Sequence, residues 1–316
     1  MKNKVLKIGF GLVVTVLILF GLGYYLYLNR GVFLSLENVN FLFLIPSFIL
    51  MLLTWYLGGL VMKFLVEPFD INLKEYFWVS ISNGFINLIT PFSGGVGVRA
   101  VYMKKKYNLR YVDFISTMFG NYILIFLSSS FIALFVFLYL FFVNGVLNIL
   151  LFLCFLLIFV LTLFFVVSEF RFKSVNFLTK RINKVLDGWM IIVKHPDVLW
   201  KLVLVILLNF IVVAVLHYLL FWSLGVEIGF LGALYLSVMG VLAIFINITP
   251  GGLGISEFLY FVSAGILQVS APVTVLVALI YRAIRMIILL LLGPVSNFVL
   301  YKAFKVDLKG DENVDV

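Results

Sequence analysis

Long apolar runs separated by short polar stretches dominate the chain, and their lengths are the first thing that limits what it can be. A helix rises about 1.5 Å per residue, so about 20 apolar residues cover the ~30 Å hydrocarbon core of a bilayer. Runs of that length fall at Val5 to Leu28, Phe41 to Val66, Val112 to Val143, Val146 to Val167, Leu202 to Trp222 and Val273 to Tyr301. The pattern predicts six full crossings. The first run has a basic flank of Lys2, Lys4 and Lys7, but it is too long for a signal peptide and lacks a small-residue cleavage site, so it reads as an uncleaved anchor.

Two more apolar segments, Tyr76 to Tyr102 and Leu231 to Leu267, are interrupted near the middle. The first break reads NLITPFSGGVGVR from Asn87 to Arg99, and the second reads NITPGGLGISE from Asn247 to Glu257. They share an Asn, the pairs Thr90-Pro91 and Thr249-Pro250, and three glycines each: Gly94, Gly95 and Gly97 in one, Gly251, Gly252 and Gly254 in the other. Proline cannot continue a helix, and glycine permits a tight reversal with bare backbone. Unpaired backbone in lipid costs several kcal/mol per group, so such a break persists only inside protein or beside a water-filled cavity. An exposed helix start at the break would attract an anion such as a lipid phosphate.

Basic residues decide how these segments sit, because Lys and Arg collect on the cytoplasmic side. They cluster at the amino terminus, from Arg99 to Arg110, from Arg171 to Lys201, and at Lys302, Lys305 and Lys309, while the alternate loops are nearly bare. Full crossings at the two broken segments would put Lys104, Lys105 and Lys106 outside. Re-entrant hairpins restore the pattern, with both termini cytoplasmic, the first hairpin dipping in from the cytoplasm and the second from outside. Length agrees, since the 15 residues from Tyr76 to Thr90 make about 22 Å of helix, short of a crossing.

The expected fold is therefore an all-α polytopic membrane bundle with an inverted repeat. The expected organisation is one membrane domain over residues 1–316: an anchor helix at 1–40, a first repeat at 41–143 with its hairpin at 76–102, a linker span and basic loop at 144–201, a second repeat at 202–301 with its hairpin at 231–267, and a tail at 302–316. The plainer alternative, proline kinks and small-residue packing faces, explains one motif better than two matched ones.

Composition narrows the function classes. The chain is 64% hydrophobic and 12% charged, with a mean hydropathy of +1.22, so no soluble core could hide its apolar surface. The net charge of +9 sits at membrane flanks, which argues against nucleic acid; the Lys104 to Lys106 triplet reads most simply as a positive-inside anchor, with affinity for anionic lipid as the alternative. Cys154, the single cysteine, permits no intramolecular disulfide and reads as a small buried hydrophobe.

Charges inside the membrane are the candidate chemistry. Arg282 and Arg285 lie too deep in the last run for easy snorkelling, and a central arginine costs at least ~2.5 to 3.5 kcal/mol on insertion scales, so both need partners or a cavity. Glu257 follows the second break and Arg99 the first. The expectation is that these four face a common polar cavity, with one arginine paired to Glu257 and the remaining positive charge available to a phosphate headgroup. A purely structural Glu–Arg clamp is the competing reading. Asn87 and Asn247 join the candidate substrate-binding set, and Asn83, Asn121 and Asn209 are further intramembrane polar groups suited to interhelical hydrogen bonds. His195 and His217 show no metal spacing, and neither is assigned a role. No catalytic constellation, nucleotide-gripping loop or cofactor motif is present in the sequence.

At TPFSGGVGVRAVYMKKKYNL and ITPGGLGISEFLYF, followed by the run holding YRAIR, the chain resembles the lysylphosphatidylglycerol synthase transmembrane-region family of bacterial inner-membrane proteins. The likeness extends over about Phe41 to Tyr301. In full-length members this region is joined to a soluble aminoacyl-transferase domain that lysinylates phosphatidylglycerol, and the membrane region is associated with flipping the product outward. Only 15 residues follow Tyr301 here, so the resemblance implies the translocating region rather than lysyl transfer. Where many relatives carry Gly-Glu in the first motif, this chain has Gly97 and Val98. The resulting expectation is a flippase-like carrier in the cell membrane for an anionic or aminoacylated phospholipid, needing no cofactor. A lipid-modifying enzyme or the membrane partner of one is the alternative, a scaffold is a third reading, and homo-oligomerisation is compatible with each.

Overall fold

A computed structural model of the chain describes residues 20–37 (without 22 and 26), 39–66, 72–90, 94–145, 147–167, 192–245 and 249–311, together with isolated positions between 176 and 190. The described residues are helical throughout, without strands. After a short 3-10 turn at Arg30–Leu36 come α1 (Phe41–Leu65), α2 (Leu73–Ile89), α3 (Gly94–Tyr107), α4 (Tyr111–Asn144) and α5 (Ile149–Val167). The second part contains α6 (Pro196–Ser223), α7 (Gly229–Phe245), a 3-10 turn at Pro250–Gly252, α8 (Ile255–Leu267) and α9 (Ala271–Asp311). Five of these are long and apolar enough to cross a membrane: α1, α4, α5, α6 and α9. Most of the expected anchor, Val5 to Leu28, lies outside the described residues.

Helix starts follow from local chemistry. Asn40 and Asn72 stand in extended conformation ahead of α1 and α2, and their side chains accept from the backbone N–H groups of Leu42 (3.1 Å) and Lys74 (3.0 Å). Pro196 opens α6 with Asp197 in its first turn, so that helix begins six residues ahead of the apolar run that marks it in sequence. In the same way α3 runs on past Tyr102 to Tyr107, because Lys104, Lys105 and Lys106 are good helix formers and favour the carbonyl end of the helix dipole.

Both broken segments are helical hairpins. Glu75 in the first turn of α2 meets Tyr102 and Lys106 at the far end of α3, so the chain returns to the side from which it came. In the second hairpin Ser263 of α8 reaches Tyr235 of α7, and Gly232 abuts Leu267. The spans α1 and α6 are antiparallel: Asn40 N–H donates to the Ser223 carbonyl at 2.9 Å, while Lys201 lies over the Phe64 ring at 5.6 Å. Counting crossings from there, the two hairpins open toward opposite faces. With α5 and the short turns set aside, the packing pattern is kept when the halves are exchanged, since α2 packs on α1, α3 and α9 as α7 packs on α6, α8 and α4.

The outer surface suits lipid. Phe142, Leu150, Leu208 and Leu291 are among many exposed apolar side chains, and α5 buries little beyond Phe155 and Thr162. Cys154 is exposed on this peripheral helix rather than buried, because α5 turns most of its surface outward.

Candidate functional site

The second break is held by one carboxylate and one guanidinium. Gly251, Gly252 and Gly254 have φ of +60°, +69° and +80°, a left-handed region that residues with a Cβ rarely occupy. Thr249 donates its hydroxyl to the Leu253 carbonyl at 2.9 Å, closing the turn. Glu257 accepts from the Gly254 N–H at 2.8 Å and the Ser256 hydroxyl at 3.1 Å, capping the start of α8. Arg282 of α9 then joins the carboxylate, with Nε 2.5 Å from Oε1 and Nη2 3.1 Å from Oε2, and it also donates to the Gly252 carbonyl at 3.0 Å and Ser256 Oγ at 2.7 Å. Glu257 is 1% exposed, so this pair is sealed in protein.

The first break is built more simply. Asn87 Oδ1 accepts the Gly95 N–H at 2.8 Å across the gap, and Thr90 donates to the Ile86 carbonyl at 2.6 Å. A Cβ on Gly95 would lie 2.4 Å from the Asn83 carbonyl oxygen, and one on Gly94 would lie 2.5 Å from Thr90 Oγ1, so these two glycines set how closely α3 approaches α2. Gly97 faces open space. The two breaks touch: a Cβ on Gly251 would sit 3.2 Å from Leu88 Cδ1, in the last turn of α2. Pro91 and Asn247 lie outside the described residues.

Beside the meeting point lies a cavity of about 510 Å³ walled by every helix from α1 to α9 except α5. Arg99 of α3 and Arg285 of α9 both line it. Neither has an ion-pair partner among the described residues, and each Nε is buried without a hydrogen bond. The Arg285 guanidinium lies 5.8 Å from the centre of the Trp55 ring, which supports the cation without neutralising it. Asn83, Asn121 and Asn209 also face the cavity, each with an unpartnered Oδ1. Arg99 and Asn83 line a second cavity of about 320 Å³ as well, together with Lys105, Tyr102 and Tyr301.

Of the four charges expected to converge, the structure brings Arg99 and Arg285 to one cavity and joins Glu257 with Arg282 in a separate clamp at its edge. His217, assigned no role from sequence, lines the cavity, hydrogen-bonds the Tyr260 hydroxyl through Nε2 and stacks on Tyr281 at 5.2 Å. The available signal was spacing, since Asn209, Val213 and His217 recur every four residues on one face of α6. Trp55 gave no signal distinct from core packing.

These features define a polytopic membrane protein of the inverted-repeat class, in which broken helices meet beside a polar site. Over residues 6–293 the chain matches the family described as lysylphosphatidylglycerol synthase TM region, and it belongs to that family, with a membrane lipid-related function. Comparison with curated proteins and with solved structures found no match.

Proposed function

We propose that this protein is a lipid translocase that passes a phospholipid headgroup between leaflets through the cavity holding Arg99 and Arg285. The observation that carries the reading is the position of those two unpaired cations, one on the first hairpin and one on the last span, facing one space beside the hairpin tips. An arginine kept in a membrane without a carboxylate is costly, and a phosphate ligand offsets that cost. Family membership supports lipid as the ligand class, and hairpins opening to opposite faces supply the two approaches that alternating access requires.

Within this reading the protein resides in the cell membrane with both termini in the cytoplasm. Lys104 to Lys106, Lys201 and Lys302 then share the cytoplasmic face, as the positive-inside rule expects. The substrate is an anionic or aminoacylated phospholipid.

The test is reconstitution of the full chain into liposomes carrying trace fluorescent phospholipid, with outer-leaflet quenching as the readout. Faster exchange than in protein-free vesicles is expected, with loss of the gain in Arg99→Gln and Arg285→Gln. No acceleration for any phospholipid overturns the reading. Loss of a lipid species in a deletion strain would argue for synthesis, whereas unchanged totals with altered leaflet exposure would argue for translocation.

A further inference from the structure

We infer that the cavity selects an anionic headgroup made of phosphate and hydroxyls, and rejects one bearing an ammonium group such as a lysyl ester. The inference rests on the reading of the cavity as a lipid site and narrows its substrate class.

Charge makes the first case. Among the described residues, the cavity wall carries Arg99 and Arg285 and no carboxylate. The nearest acidic side chain in the motif, Glu257, is outside the wall, and its oxygens are taken by Arg282, the Gly254 N–H and Ser256. The second cavity repeats the pattern, sharing Arg99 and having no carboxylate among its described lining residues. An ammonium brought into either space meets like charge, and like-charge juxtaposition is strongly unfavourable at a desolvated site.

Aromatic faces could hold an ammonium without a carboxylate, but the two beside Arg285 and His217 are already engaged. Arg285 lies over Trp55, and the His217 ring is stacked on Tyr281 with an interplanar angle of 19°. The open neutral groups are acceptors and a donor: Oδ1 of Asn83, Asn121 and Asn209 and Nε1 of Trp55 line the wall and are buried without partners. Acceptors and a donor together match hydroxyls, as on a glycerol headgroup, which both give and take a hydrogen bond where an ammonium only gives one, while the two guanidiniums match the phosphate diester.

The experiment uses the wild-type full chain in proteoliposomes and in detergent, with phosphatidylglycerol, lysylphosphatidylglycerol and inorganic phosphate as probes. Exchange of phosphatidylglycerol at least about tenfold faster than the lysyl lipid is expected, as is tighter phosphatidylglycerol binding by thermal shift. Asn209→Asp places a carboxylate in the wall and is expected to narrow or reverse that ratio, while Arg285→Lys keeps the charge and the preference. Equal or faster exchange of the lysyl lipid overturns the inference and leaves the translocase reading standing. Tight phosphatidylglycerol binding without exchange of either lipid supports the selectivity and overturns translocation. Stabilisation by inorganic phosphate but by neither lipid overturns both.

Discussion

Replacing Glu257 with alanine separates a structural charge from a functional one. The carboxylate is 1% exposed, accepts from the Gly254 N–H, Ser256 and Arg282 Nη2, and is ion-paired with Arg282 Nε at 2.5 Å. Its removal leaves a guanidinium only 12% exposed with no counter-charge, and arginine cannot shed its proton. Breaking such a buried pair from one side costs about 3–5 kcal/mol. The paired change Glu257→Gln with Arg282→Gln removes both charges and leaves an amide oxygen for the Gly254 N–H, so most of that loss is expected to return. The assay is unfolding free energy by SDS titration in mixed micelles for wild type, both single variants and the double. A coupling of roughly 2 kcal/mol or more is expected from a contacting pair. A Glu257→Ala protein within about 0.5 kcal/mol of wild type, the range of an ordinary surface change, would refute the clamp.

Gly95→Ala forces a methyl to 2.4 Å from the Asn83 carbonyl oxygen and should destabilise by about 1–3 kcal/mol, whereas Gly97→Ala enters open space and should be neutral or mildly stabilising; melting of the two purified variants checks the contrast. Glu75→Gln removes the charge that gathers Lys106 at 2.8 Å, Tyr102 at 2.7 Å and the Tyr107 hydroxyl, and is expected to cost about 1.5–3 kcal/mol, with faster thiol labelling of a cysteine placed at position 96. Lys104→Cys, in a background with Cys154 replaced by serine, should react with an impermeant maleimide in inside-out vesicles and not in right-side-out cells; external labelling would overturn the proposed orientation.

The hairpins were legible because proline and glycine break a helix for reasons local to the chain, and because the basic residues at 104–106 forbid a full crossing there. Span lengths were legible for the same reason, as apolar runs answer directly to bilayer thickness. Helix ends were not, since Pro196 and Lys104 to Lys106 continue helices by capping and dipole effects that hydropathy does not register. Which arginine meets Glu257 was also hidden: Arg282 and Arg285 are three residues apart, near neighbours on one face of α9, and the register of α8 against α9 assigns one to the clamp and the other to the cavity. The cavity wall itself comes from seven other helices besides α9 and is a property of packing, so Trp55, Asn121 and His217 carry no common sequence mark.

The contact between Gly251 and Leu88 has a mechanical consequence. A Cβ on Gly251 would lie 3.2 Å from Leu88 Cδ1, so the two tips come this close because that position carries no side chain. A side chain at position 251 would therefore press the two breaks apart and open the packing between the halves of the molecule, in a region that tolerates voids poorly.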